Sequence, residues 1–193
     1  MKSFALATAV ALVTTSTAAL AAPEKYALDA SHSQVVFSYN HFGYSTTYNM
    51  FSGFEGEIMF DEGDPANSSV SVSMPVKSLF TGWEARFEHF MAEDFFGATD
   101  EDMITFASTG IEVTGDKTAN ITGDLTINGV TKPVTLEATM TQKAPHPLKE
   151  GQEWMGFDAT TQVKRSDFDL GKFAPAVSDE MDVVISIEAG KAQ

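Results

Sequence analysis

The sequence contains no cysteine. Disulfide bonds and a cysteine nucleophile are therefore excluded. A lipid anchor on a cysteine near the start of an exported chain is excluded for the same reason. The fold must be stabilised by packing alone, and 193 residues with 43% hydrophobic content are enough for one domain with a single core.

Basic residues are also scarce. Twelve Lys and Arg stand against 27 Asp and Glu, which gives a formal net charge of −15. No run of Lys or Arg stands out, so the charge argues against nucleic acid as a partner and against electrostatic docking on anionic lipid. The many carboxylates indicate a solvated surface.

Sequence motifs of catalysis are missing. There is no Gly-x-Ser-x-Gly elbow, no Gly-rich phosphate loop after a strand and no Ser-x-x-Lys. The histidines show none of the i, i+2 or i, i+4 spacings by which one strand or helix presents two metal ligands. They are His32, His41, His89 and His146. The sequence therefore predicts a protein that is not an enzyme and needs no cofactor or metal, although separate strands could still assemble a metal site.

Long hydrophobic runs are confined to the N-terminus. Lys2 is followed by residues 4–20, which are apolar or small apart from Ser and Thr, and Ala19-Leu20-Ala21 fits a small-x-small cleavage site. We predict a signal peptide over residues 1–21, a mature domain over residues 22–193 and a location in the periplasm. An uncleaved membrane anchor is the alternative.

The remaining sequence is dominated by alternation of apolar and polar residues. Within residues 120–140, two alternating runs flank Asn128-Gly129, the pair best suited to a tight turn with positive φ at both central positions. Residues 43–49 are polar and aromatic and have no clean period. About eight or nine alternating segments with turn signals between them predict an all-β fold, either an antiparallel up-and-down barrel or a two-sheet sandwich.

A helical pattern interrupts the strands over residues 76–99. Trp83, Phe87, Phe90 and Met91 recur at helical spacing and charged residues occupy the other face, which predicts one or two short helices. An eight-stranded barrel either fills its interior with side chains or holds one small ligand. The aromatic composition of the insert is equally consistent with a lid over a ligand and with a plug that closes one end of a filled barrel.

An ordered set of short motifs runs through the whole mature chain. The motifs are Tyr26-x-Leu28-Asp29-x-x-His32-Ser33, Phe51-x-Gly53-x-x-Gly56, Ser78-Leu79-x-Thr81-Gly82, Asp94-Phe95-Phe96, Ile104-x-Phe106-x-Ser108-Thr109, Gly123-Asp124-Leu125-Thr126-Ile127-x-Gly129 and Arg165-Ser166-Asp167-Phe168. Each is weak alone, but the ordered set is specific. In this order the motifs resemble those of the YceI-like family of bacterial periplasmic proteins.

The resemblance implies a lipocalin-like antiparallel barrel of about eight strands, often dimeric, with the short helical insert near its mouth. It also implies a polyisoprenoid guest in the barrel interior, such as an isoprenoid quinone or a polyprenol, and an association with stress responses. Two departures bear on the head group. Asp169 follows Phe168 where the family usually has glycine, and the family's basic helix region reads Ala85-Arg86-Phe87-Glu88-His89-Phe90 here. We therefore expect an uncharged head, such as a quinone ring, an amide or an alcohol, rather than a pyrophosphate.

Ten residues are candidates for ligand contact within this interpretation. The predicted tunnel lining consists of Phe37, Tyr39, Phe54, Ile58, Phe106, Leu125, Ile127 and Phe157. His41 and Arg165 are candidates for polar contact with a head group, since imidazole can donate to or accept from a carbonyl or hydroxyl. The alternatives are a surface histidine for His41 and, for Arg165, an ion pair with Asp167 or another carboxylate.

Three functions are consistent with the sequence. The first is a periplasmic carrier, store or scavenger of an isoprenoid lipid, with transient contact to a membrane or membrane protein and with formation of a homodimer. The second is a filled-barrel structural or interaction module with a stress-related role and no lipid guest. The third, an enzyme acting on a lipid or a small apolar molecule, lacks a candidate nucleophile, metal cluster or tuned carboxylate pair.

Overall fold

The structure, a computed structural model, describes residues 22–193. The predicted signal peptide over residues 1–21 lies outside the described residues. Within the described range, no helix has both the length and the apolar character needed to cross a bilayer.

Ten strands and one α-helix form in the described residues. The strands are β1 (Glu24–Leu28), β2 (Gln34–His41), β3 (Ser45–Phe51), β4 (Glu55–Phe60), β5 (Ser69–Pro75), β6 (Met103–Val113), β7 (Thr118–Ile127), β8 (Val130–Pro145), β9 (Glu153–Lys164) and β10 (Glu180–Lys191). The helix α1 (Glu84–Met91) lies between β5 and β6 and follows a 3₁₀ turn at Val76–Ser78. These two short helical segments confirm the predicted helical insert.

The ten strands close into a barrel of eight. β1 and β2 form one long strand interrupted by a 3₁₀ turn, and β3 and β4 form the long strand antiparallel to it. Each later strand pairs with the one before it, as far as β10. The other edge of β10 pairs with both β2 and β1, with Val183 opposite Phe37 and Ala189 opposite Leu28. The predicted antiparallel barrel of about eight strands is confirmed, and the sandwich is excluded.

The sequence does not predict β3, which covers most of the irregular segment 43–49. Its two faces depart from the usual pattern, because Tyr48 is exposed on the outer face and Asn49 is buried on the inner face. Hydrophobicity therefore does not alternate, although the strand is extended and pairs with β2 from Ser45 to Phe51.

The hairpin of β7 and β8 has the geometry that its sequence predicts. Asn128 and Gly129 take φ values of 53° and 73°, the two positive angles that a type I′ turn requires. Across the outer face, the hydroxyls of Thr122 and Thr135 lie 3.1 Å apart and hydrogen-bond. The inner face of the hairpin carries the apolar residues.

A bulge in β6 keeps apolar side chains on the inner face. The register shifts between Ser108 and Gly110. Because of this shift, the inward-facing residues Phe106 and Ile111 are an odd number of residues apart, whereas a regular strand would separate them by an even number. Gly123 on β7 leaves room for the Phe106 ring, since a Cβ at Gly123 would lie 2.4 Å from Phe106 Cζ. The Phe106 ring therefore packs over Gly123, and any larger residue at position 123 would displace it.

Alternate connections lie at opposite ends of the barrel. The insert (residues 76–102), the turn 42–44 and the connection 165–179 share one end, which we call the insert end. The turns 61–68 and 114–117 lie at the other end, which we call the turn end. The turn end is therefore closed only by short connections.

Aromatic residues of the insert pack onto the insert end of the barrel. The ring of Phe90 contacts Tyr39 on β2, with centroids 6.3 Å apart, and that of Phe96 contacts Phe51 on β3 at 6.4 Å. The insert therefore covers the inner faces of β2 and β3.

Arg165 holds the connection 165–179 against the insert end. Its side chain is buried, with 7% exposed. The guanidinium donates hydrogen bonds of 2.6 to 3.1 Å to the backbone carbonyls of Leu170, Lys172, Val177 and Ser178. Because its partners are carbonyls, the ion pair with Asp167 considered above does not form.

We expect Arg165→Met to lower the free energy of unfolding by about 2 to 4 kcal/mol, because it leaves one buried and three partly buried carbonyls without their donor. Denaturant unfolding followed by circular dichroism measures the change. Lys164→Met, at the exposed neighbouring position, is the matched control and should cost less than about 0.5 kcal/mol. An equal loss in both variants would contradict the role assigned to Arg165.

Candidate ligand-binding cavity

An elongated cavity lies inside the barrel. Its volume is about 440 Å³, within the range of roughly 300 to 1,000 Å³ typical of small-molecule sites. On β7 its lining runs from Ala119 to Ile127, a distance of about 26 Å at roughly 3.3 Å per residue. A cavity of this length and volume favours a long, thin guest over a compact one.

Most of the predicted tunnel residues face this cavity. Those that line it are Phe37, Phe54, Ile58, Phe106, Leu125, Ile127 and Phe157. Those on strands occupy inward positions because alternate residues of a barrel strand point to the interior, and Phe54 lies in the short break between β3 and β4. Their contact with a ligand stays a prediction.

The other three predicted residues, Tyr39, His41 and Arg165, lie outside the cavity lining. Tyr39 is on the inner face of β2 but packs against the insert. His41, at the end of β2, is exposed and its ring packs on Phe42, with centroids 4.4 Å apart. Arg165 uses its guanidinium on backbone carbonyls. The positions of His41 and Arg165 therefore give no support to head-group contact within the cavity.

Further lining residues were not among the predicted ones. Apolar examples are Val35, Phe51, Val72, Met74, Ile104 and Ile185. Most of them follow the same period-two alternation as the predicted residues, so the signal was present in the sequence.

A row of three alanines gives the cavity extra width. Ala138 on β8 pairs with Ala119 on β7 and with Ala159 on β9, and all three line the cavity. Their methyl side chains leave space that a larger side chain would occupy. Ala138 is therefore a position at which the cavity can be filled by substitution.

The cavity reaches the surface at the turn end, where charged side chains form its rim. The charged rim residues are Glu62, Asp116, Lys117, Lys143 and Asp158. Lys143 pairs with Glu62 at 2.9 Å and Glu153 at 3.6 Å. Partial burial alone would lower the pKa of Lys143, but these carboxylates raise it above its ordinary value. Lys117 donates to the carbonyl of Thr141 at 3.5 Å, so both rim lysines have partners.

Tyr26 fills the remaining side of the turn end. It is 0% exposed and packs with Met155 and Ala189. Its hydroxyl donates a hydrogen bond to the Glu153 carboxylate. Burial, then the hydrogen bond to Glu153 and the negative charge of that carboxylate, raise the pKa of Tyr26 above its ordinary value, so the phenol stays protonated. The opening is therefore restricted to the side of the 61–68 and 114–117 turns.

The insert covers the opposite end of the cavity. In the part of the chain that the structure describes, no lining residue comes from the insert or from the connection 165–179. The wall at this end includes Phe37 and Phe51, whose rings stack with centroids 5.4 Å apart. The resemblance placed the insert near the mouth; in the structure the insert lies at the end away from the charged rim.

One cluster outside the cavity has the donor types of a metal site. Asp29, His32 and Glu188 place one potential ligand atom each within 4.8 Å of one another. However, the Lys149 ammonium lies 3.6 Å from Asp29 Oδ2, so a cation of the chain already faces this carboxylate. Asp29 also accepts from the backbone N–H of Ser31 at 3.0 Å and caps the 3₁₀ turn that follows it. We assign the cluster a structural role.

The closed antiparallel barrel and its apolar interior define the class of protein: a lipocalin-like β-barrel with an elongated cavity along its axis. Residues 26–189 match the YceI-like domain. The chain belongs to the YceI-like family, as its motifs indicated.

Three relatives illustrate the similarity. The YceI protein of Shigella flexneri is 39% identical over 170 residues, which make up 88% of this chain and 87% of the relative. The crystal structure of Burkholderia cenocepacia BcnA matches with a TM-score of 0.74 and 26% identity, over 83% of this chain and 98% of that one. A polyisoprenoid binding domain from Saccharophagus degradans, implicated in plant cell wall breakdown, matches with a TM-score of 0.66 over 86% of this chain and 98% of that one. It is 13% identical, so this last likeness concerns the fold alone.

We expect the pKa of His32 to lie above its ordinary value of 6.5, because the ring hydrogen-bonds to the Asp29 carboxylate at 3.0 Å and is attracted by its charge. Partial burial alone would raise the pKa of Asp29, but hydrogen bonds from Ser31 and His32 hold it well below its ordinary value, so Asp29 stays ionised. NMR titration of the His32 ring measures its pKa. Asp29→Asn should return it towards the ordinary value.

The sign of the effect on stability follows from the raised pKa. The stabilisation by protonated His32 is complete below the unfolded-state pKa and is lost as the pH rises through the higher folded-state pKa. Asp167→Asn, which removes an exposed carboxylate elsewhere, is the control and should leave the pKa of His32 unchanged. A wild-type pKa at or below the ordinary value would show that the pair does not act in this way.

Proposed function

We propose that the protein binds a long, apolar isoprenoid lipid inside the barrel. The observation that carries the proposal is the elongated cavity, with an apolar wall and with charged residues confined to the rim at one end. Membership of the YceI-like family supports it. The polyisoprenoid binding reported for a protein of the same fold supports it as well.

The relevant donor for such a guest is a membrane rather than water. Transfer of a chain of about twenty carbon groups from water would be worth roughly 16 kcal/mol at ~0.8 kcal/mol per group. That is close to the strongest non-covalent affinities known, roughly 18 to 21 kcal/mol. The lipid would not leave the cavity for water on a useful timescale. Transfer becomes feasible because a bilayer interior is equally apolar, so the barrel needs only a modest preference over it.

We propose further that the protein acts in the periplasm as a carrier, store or scavenger of this lipid. The predicted signal peptide is the basis for the location. The exposed rim at the turn end supports exchange with an acceptor, because it gives the guest a route that does not require the insert to move.

The filled-barrel alternative is less well supported. A barrel filled by its own side chains would leave few voids larger than one water, which occupies about 30 Å³ in the liquid. The cavity of about 440 Å³ is much larger than that. Binding rather than catalysis is proposed because the cavity wall consists mainly of hydrocarbon side chains.

We expect Ala138→Trp to abolish lipid retention, because the indole would occupy the space beside Ala119 and Ala159. The free energy of unfolding should change by less than about 1 kcal/mol, since the space is available, whereas overpacking of a filled core typically costs ~1 to 3 kcal/mol. Native mass spectrometry of the variant reports bound lipid, and denaturant unfolding reports stability.

Glu137→Trp is the matched control for this substitution. Glu137 is the neighbouring residue on β8 and faces outward, so the same indole is added to the outer wall. It should leave lipid retention unchanged. Destabilisation by Ala138→Trp, with no lipid retained by the wild-type protein either, would favour the filled barrel.

The direct test is native mass spectrometry of protein purified from its own periplasm, followed by extraction with organic solvent. We expect a stoichiometric lipid of isoprenoid composition. If no lipid is recovered and refolding with geranylgeraniol or an isoprenoid quinone also gives no complex, the proposed function is wrong.

A further inference from the structure

One buried polar side chain beside the cavity has no partner. Asn49 on β3 is 3% exposed, and neither its amide nitrogen nor its carbonyl oxygen makes a hydrogen bond. Within residues 22–193, it is the only side chain with fully buried polar atoms left unpaired. An unpaired buried amide destabilises a fold, so its presence in an otherwise aromatic environment calls for an explanation.

Asn49 lies directly behind the end wall of the cavity. It pairs with Phe37 across β2 and β3 and shares the inner face of β3 with Phe51, two residues further along. Both phenylalanines line the cavity. On its other side, Phe90 and Phe96 of the insert pack against neighbouring inner-face residues. Asn49 is therefore flanked by Phe37 across the strand pair and by Phe51 along its own strand, at the insert end of the apolar cavity.

Both lysines at the other end are already engaged. Lys143 pairs with two carboxylates, and Lys117 donates to a backbone carbonyl. A lipid head group at the rim would have to displace these partners. The Asn49 amide, by contrast, offers two N–H donors and a carbonyl acceptor without displacing a partner. Its neutrality favours an uncharged head group over a phosphate.

We propose that Asn49 is the head-group site of the bound lipid, for a neutral hydroxyl, carbonyl or amide, with the hydrocarbon chain running from the insert end to the turn end. This proposal rests on the proposed function. The head group reaches the amide when Phe37 or Phe51 turns aside, and side-chain rotations of this kind are common on binding.

The test uses two probes that differ only in the head group: geranylgeraniol and its deoxy analogue, the hydrocarbon of the same skeleton. Wild-type protein should bind the alcohol roughly tenfold more tightly, which corresponds to one hydrogen-bonded group. Asn49→Leu should remove this preference by weakening alcohol binding alone. It should also raise the melting temperature of the lipid-free protein, because an apolar side chain of similar size replaces an unpaired amide. Asn120→Leu, on the outer face of β7, is the control and should keep the preference.

A second measurement covers the case in which Asn49→Leu does not fold. The side-chain amide resonances of Asn49 in wild-type protein should shift with the alcohol and not with the deoxy analogue. Equal affinity of wild-type protein for both probes, or an amide that keeps a buried water in the alcohol complex, would overturn the head-group site and leave lipid binding intact. Failure to bind either probe would reject lipid binding itself.

Discussion

The barrel depends on the two edges of β10. One edge meets β9 along almost its full length, and the other meets β2 and then β1, which brings the end of the chain back to its beginning. Because the barrel is closed, no strand is left with an unpaired edge. The inner faces of the strands also cover one another, so no second sheet is needed to bury them. With eight strands the interior is just wide enough to be filled or left hollow. Ala119, Ala138 and Ala159 face inward where larger side chains would have filled it.

Much of the fold is predictable because the sequence of a barrel strand indicates which of its side chains point inward. Alternation separates the inner from the outer face of each strand, and Asn128-Gly129 fixes the register of β7 against β8. The same alternation predicts Phe37, Phe106 and most of the other residues proposed for the tunnel wall. The local pattern is sufficient for these residues because a side chain that points inward from a barrel strand lines the interior.

The rest required the three-dimensional arrangement. Arg165 and His41 were selected by residue type, but Arg165 binds carbonyls of a connection whose path no local pattern predicts, and His41 lies at a strand end. A bulge between Met140 and Gln142 shifts the register before Lys143, and regular alternation cannot anticipate this. Asn49 is not predicted from the sequence, because a polar residue at an inner-face position breaks the alternation by which a strand is recognised.

The two ends of the cavity differ, and this difference constrains how a guest is exchanged. Aromatic residues pack over one end and charged residues surround the other, so under the proposed function a lipid chain enters and leaves through the same opening. Loading and unloading therefore cannot occur at the same time. If the protein is the proposed carrier, a donor and an acceptor have to visit the same surface in turn rather than act at opposite ends of the barrel.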